Sequence, residues 1–130
     1  MMGRTKTKII LIFLIALYFC VIDKARASQS DAPTGNSQVT FIELGSVNCI
    51  PCKQMKSVME AIEKEYAGKV RVVFHDVWTK EGKPYGEQYG IRVIPTQVFI
   101  DKSGKEISRH EGYFSKEAIE KVLSDAGVQK

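Results

Sequence analysis

The feature that most constrains this chain is an apolar run followed at once by an amphipathic one. Residues 39–44, V-T-F-I-E-L, are apolar at nearly every position, as expected of a strand buried on both faces. Residues 45–48 read as a turn. From Pro51 to Tyr66 the spacing becomes helical. Met55, Met59, Ile62 and Tyr66 share one face, while Lys53, Lys56, Glu60, Glu63 and Lys64 lie largely elsewhere. Gly68 ends the helix, and residues 70–75, V-R-V-V-F-H, form a second strand. A strand–helix–strand unit implies a right-handed crossover and parallel pairing.

The remainder adds a loop over 78–90 with one helical stretch from Pro84 to Tyr89, then a strand over 96–100. A turn around Gly104 leads to an antiparallel return over 106–110. Ser115 caps a last helix in which Ile119, Val122, Leu123 and Ala126 share a face, and Gly127 ends it. The predicted order is β-α-β-(α)-β-β-α. This is an α/β domain: a central mixed sheet flanked by helices on both faces.

Charge separates the chain into two parts. The net charge is +4, and residues 1–27 account for all of it with five basic side chains and one acid. The rest balances 14 basic against 14 acidic residues, so nothing in it calls for a nucleic-acid partner. Within 1–27, a basic start precedes 14 apolar residues (9–22) and small Ala25 and Ala27. That is the pattern of a signal peptide, with cleavage expected between Ala27 and Ser28. The run is short of the ~20 residues of a membrane span. An uncleaved N-terminal anchor is the alternative, and Cys20 reads as an apolar filler within the run. Residues 28–37 are polar and turn-rich, a linker, and the domain proper is expected over 38–130.

Export would leave two cysteines, Cys49 and Cys52, in a compartment where thiols tend to be oxidised. The C-I-P-C pair has three possible uses: metal, staple or electron carrier. Zinc needs three or four ligands, and nothing in the pattern brings His75 or His110 to the pair. A structural disulfide would close a tiny loop and stabilise little. Redox chemistry fits the placement best. Cys49 falls at a helix N-terminus, where free amides and the macrodipole favour a thiolate below the ordinary thiol pKa of about 8.5. Cys49 is then the nucleophile and the more exposed sulfur, and Cys52 resolves the mixed disulfide. Pro51 lacks an N–H, so it withdraws one donor from the sulfur and makes the pair more reducing. His75 and His110 read as solvated strand ends, and Trp78 as loop packing.

Strand, turn, C49-I-P-C52 at a helix start, then Y89-G-I-R-V-I-P-T96 before a strand, Gly104 in a hairpin and Gly112 before the last helix: this pattern resembles the thioredoxin superfamily over residues 38–127. The resemblance implies a thioredoxin-like fold and a cis peptide before Pro95, with Ile94, Pro95 and Thr96 beside the cysteines to hold an extended substrate. It implies that Glu43 is a buried acid behind Cys52 and its general base. It implies no cofactor beyond the redox-active Cys49–Cys52 disulfide, and no metal. The chain departs from the family at Asn48, where thioredoxins carry Trp, and at Phe74, near which a lysine partner of the buried acid aligns.

The function expected is an exported thiol–disulfide oxidoreductase that reduces protein disulfides, a monomer in the bacterial periplasm or envelope. A membrane protein is expected to supply its electrons, and the N-terminus is a possible tether. A disulfide oxidase or isomerase, and a redox-silent peptide-binding module, are the alternatives.

Overall fold

A computed structural model describes residues 31–130. The expected leader over 1–27, with Cys20, and the first residues of the expected linker lie outside the described residues. The elements are β1 (Val39–Gly45), α1 (Ile50–Glu65), β2 (Val70–Asp76), α2 (Lys83–Gln88), β3 (Thr96–Asp101), β4 (Glu106–Glu111) and α3 (Lys116–Asp125). The order is the one the pattern predicts.

The four strands form one sheet in the order β2-β1-β3-β4. β1 pairs parallel with β2 and antiparallel with β3, and β3 pairs antiparallel with β4, so the sheet is mixed. β1 is central and all seven of its residues are buried, which explains its nearly unbroken apolar run.

Successive side chains of β1 point to opposite faces. Val39 and Phe41 join Met55, Val58, Ile62, Ile119 and Leu123 in the core beneath α1 and α3, where Phe41 stacks on Phe99 across the strands at 5.0 Å. Ile42 and Leu44 join Val98 and Ile100 in a second core, closed by Tyr85, Tyr89 and Ile91 from α2 and its exit. Helices therefore cover both faces. Each fully buried large apolar side chain contributes about 1.5–3 kcal/mol. Two details differ from the helical patterns. Val58 is more buried than Met59, and Ala126 is exposed while Val128, beyond the helix, folds back into the core.

Ser115 caps α3, its hydroxyl accepting from Ala118 N–H at 3.2 Å. Gly68 (φ 76°) and Gly104 (φ 82°) hold the left-handed turns that end α1 and join β3 to β4.

Ahead of β1, Asp31 is buried, and Tyr89 Oη donates to its Oδ2 at 2.7 Å. His75 Nε2 lies 2.9 Å from the same oxygen, and its ring stacks on Tyr85 at 3.6 Å. His75 is thus not the solvated strand end that the sequence suggests. Its contacts come from residues 10 and 44 positions away, which local pattern does not reveal. Burial, and then the Asp31 carboxylate, push the Tyr89 phenol well above its ordinary pKa and keep it a donor. His110 does keep partial exposure, but it stacks on Phe114 at 4.0 Å.

Candidate active site

The C-terminal ends of β1 and β2 and the start of β3 meet at one end of the sheet, and the cysteines emerge there. Cys49 is the N-cap of α1, with an extended backbone (φ −93°, ψ 126°). Its sulfur accepts the Cys52 N–H at 3.3 Å, and its carbonyl accepts the Lys53 N–H at 3.0 Å. Pro51 stands in the first turn, where it has no N–H to give. The amide that reaches the sulfur is therefore that of Cys52 itself. Cys49 and Cys52 form a disulfide, Cα to Cα 5.2 Å.

The two cysteines are buried almost equally, 7% and 6% exposed, so the expected difference in exposure is absent. What separates them is position. Cys49 caps the helix and receives its amide, while Cys52 packs on β1: a Cβ added to Gly45 would stand 3.1 Å from Cys52 Sγ.

The turn that delivers Cys49 is fixed by one carboxylate. Asp76, the last residue of β2, accepts the Val47 N–H at Oδ2 and the Trp78 N–H at Oδ1, each at 3.1 Å. The Ser46 hydroxyl also bonds Asp76 and accepts the Asn48 N–H at 3.2 Å. Partial burial raises the Asp76 pKa, but these bonds outweigh it and leave the group below its ordinary value.

Glu43 lies on the same face of β1 as Gly45. It is fully buried, and burial pushes its carboxyl up to about 8, against a smaller lowering by Gln97. Its register partner on β2 is Phe74, at the place where the resemblance removes a lysine. Its partner on β3 is Gln97, whose Nε2 donates to Glu43 Oε2 at 3.0 Å and to the Gly112 carbonyl at 3.1 Å. Gln97 is the site residue that sequence reasoning missed. The signal was present: a polar side chain inside the apolar T-Q-V-F-I strand, as Glu43 is inside V-T-F-I-E-L.

Thr96 pairs with Leu44, so the turn before β3 stands beside the end of β1 that leads to the cysteines. The Ile94–Pro95 peptide is cis. The Pro95 carbonyl accepts the Gly112 N–H at 2.8 Å, and the Val93 carbonyl accepts the Thr96 hydroxyl at 2.8 Å. On the other flank, a groove of about 570 Å³ runs from Cys52 along α1, lined by Lys56, Met59, Val72 and Phe74 among others. Trp78 is 63% exposed, not packed into its loop as the sequence suggests. Among the described residues no group of His, Cys, Asp or Glu could hold a metal ion.

A mixed sheet with a Cys-x-x-Cys pair capping a helix and a cis-proline turn at the same end defines a thioredoxin-fold dithiol–disulfide protein. The family profile described as a thioredoxin-like domain matches residues 26–127, and the chain belongs to that family. It is 36% identical over 100 residues to thioredoxin 1 of Nostoc sp., covering 77% of this chain and 85% of that one. It is 30% identical over 96 residues to thioredoxin of Bacillus subtilis, covering 74% and 89%. Among solved structures, one titled "Structure of a malarial protein" superposes with a TM-score of 0.63 at 12% identity, over 69% of this chain and 98% of that chain, a likeness of fold. The protein is a thiol–disulfide oxidoreductase of a family that acts on protein disulfides, and Cys49 and Cys52 form the close cysteine pair of that family in it.

Proposed function

We propose that the protein works in the reducing direction, outside the cytoplasm. The observation that carries the direction is the first turn of α1: Pro51 denies the Cys49 sulfur one amide donor and leaves, among the described residues, the Cys52 N–H. Fewer donors stabilise the thiolate less, and a less stabilised thiolate makes the dithiol the better reductant.

The cycle balances within the pair. The Cys49 thiolate attacks one sulfur of a substrate disulfide, and the other substrate sulfur leaves as a thiolate and takes up a proton. Cys52 then gives up its proton and attacks Cys49 Sγ, closing the protein disulfide and releasing the second substrate thiol. Two electrons pass from the dithiol to the substrate. Glu43 is the base for the Cys52 proton, directly or through a water. Residues two apart on a strand face lie about 7 Å apart, and Cys52 packs on Gly45, two residues from Glu43. A carboxyl raised to about 8 is basic enough to take a thiol proton near neutrality. With the Pro95 and Val93 carbonyls engaged, Ile94 is the residue whose backbone meets an extended substrate by strand addition, and Pro95 and Thr96 shape the turn.

The leader-like residues 1–27 support export to a bacterial periplasm or envelope, by cleavage or by an N-terminal tether. Such a reductase needs re-reduction, for which a membrane electron-transfer protein is the expected donor. The deciding experiment is to equilibrate the pair with glutathione buffers. A potential near the strongly reducing end supports the reductase, and an oxidising one assigns the protein to disulfide formation or shuffling. Cys49→Ser abolishes the activity, whereas peptide binding that survived in that variant with no redox function in the wild type would favour a redox-silent binding module.

A further inference from the structure

We propose that Trp78 is the aromatic contact for the substrate peptide, clipped beside the nucleophile's turn by the Asp76 carboxylate. The inference rests on the oxidoreductase reading and adds a specificity-determining residue to it.

The residue ahead of Cys49 is Asn48, which offers no aromatic surface. The loop after β2 supplies one. The two oxygens of a single carboxylate hold the Val47 and Trp78 amides, so the backbone of Trp78 is fixed next to the turn that ends at Cys49. The Val77 N–H donates to the Gly45 carbonyl at 2.9 Å, which carries the β1–β2 pairing up to the residue before Trp78. The loop beyond is closed by its own bonds: the Thr79 hydroxyl donates to the Asp76 carbonyl at 2.8 Å and accepts the Gly82 N–H at 3.0 Å. The backbone that carries the indole is therefore well braced, and little backbone freedom remains to be lost on binding.

Its exposure is the second observation. An indole 63% exposed contributes little to the core, and it stands at the same end of the sheet as Val47 (59%), Ile50 (75%) and Val93 (48%). Val47 and Ile50 flank Cys49, and Val93 precedes the cis-proline turn. An apolar rim with one amphipathic ring on a braced backbone suits an extended segment with apolar side chains next to its cysteine. The ring covers the side chains, and the indole N–H can donate to a peptide carbonyl. Trp78 takes no part in the electron transfer.

The test uses insulin as the protein disulfide and dithiothreitol as the electron source. Trp78→Ala raises KM about tenfold with kcat changed less than about twofold, the scale of an aromatic hot spot. Trp78→Phe restores most of the loss. The Cys49–Cys52 potential against glutathione does not move, as it would if the loop merely held the site together. Trp78 is the chain's one tryptophan, so its emission reads the contact directly. In Cys52→Ser, a Cys49 mixed disulfide with insulin B chain shields the indole from acrylamide, and one with glutathione shields it far less. Unchanged KM in Trp78→Ala with an active wild type, or equal quenching in the two mixed disulfides, overturns the proposal. A wild type inactive on insulin overturns the proposed reductase activity itself, and this proposal with it.

Discussion

Glu43 and Gln97 stand opposite each other in the antiparallel register of β1 and β3, both without exposed surface, and Gln97 Nε2 donates to Glu43 Oε2 over 3.0 Å. The other carboxyl oxygen has no hydrogen-bond partner among the described residues. The bond to Gln97 is what holds the Glu43 pKa down against burial. Gln97→Leu removes it. The Glu43 titration then moves further up, read by carbon NMR of the carboxyl, and the pH at which the resolving step accelerates moves up with it. An unmoved pH profile would remove Glu43 from the role of base. The variant also strands a buried acceptor, at a cost of about 1–3 kcal/mol.

Glu43 makes stability depend on pH in a definite direction. Its folded pKa, about 8, lies above the ordinary 4.5. Below 4.5 the carboxyl is protonated in both states and costs nothing. As pH rises from there, the unfolded chain loses this proton and the folded one keeps it, so stability falls until pH passes about 8 and then levels. Glu43→Gln removes this term alone. Relative to wild type, the oxidised variant gains on the order of a few kcal/mol between pH 5 and pH 8.5, measured by urea unfolding at both. A constant difference across that window would refute it.

Two glycines without left-handed backbones are set by neighbours alone. A Cβ at Gly45 meets Cys52 Sγ at 3.1 Å and Cys52 Cβ at 3.3 Å, a buried side chain tied into the disulfide. A Cβ at Gly82, whose φ of −86° suits any residue, overlaps the backbone carbonyl of Asp76. Gly45→Ala should cost about 1–3 kcal/mol and shift the potential of the pair, while Gly82→Ala should cost more and leave the loop after β2 misplaced. Thermal melts rank the two.

Asp76→Ala takes the acceptor from two backbone amides and the Ser46 hydroxyl at once. Amide exchange at Val47 and Trp78 should quicken more than at the centre of β1, with about 1–3 kcal/mol lost from global stability. Asp76→Asn, which keeps one carbonyl oxygen, should recover part of it. Equal protection at both amides in Asp76→Ala would show that the turn is held otherwise.

Local pattern carried most of the fold. Apolar runs and helical spacing placed β1, α1, β3 and α3 within a residue or two, because their apolar residues face one core or the other, whereas α2 and β4, which bury none of their residues, were placed by the turns beside them. Glu43 was legible through the family resemblance, helped by its place as an acid among apolar neighbours. What was not legible depends on distant partners. His75 looks like any polar strand end until Asp31 and Tyr85 are brought to it. Trp78 looks like packing because a bare tryptophan is the exception. Asp76, a polar residue at a strand end, gives no hint that three groups converge on it.

The Asp31 contacts bear on where the protein can be cut. Tyr89, His75 and Arg71 all reach back to Asp31 or Ala32, Arg71 by a 3.1 Å bond to the Ala32 carbonyl. A chain trimmed to the first strand would look complete by its sheet, yet it would leave a phenol and an imidazole facing a gap. Fusion partners and affinity handles therefore belong ahead of Asp31, and a protease that nicks between Asp31 and Gln38 would loosen the α2 side of the sheet before it touched the cysteines.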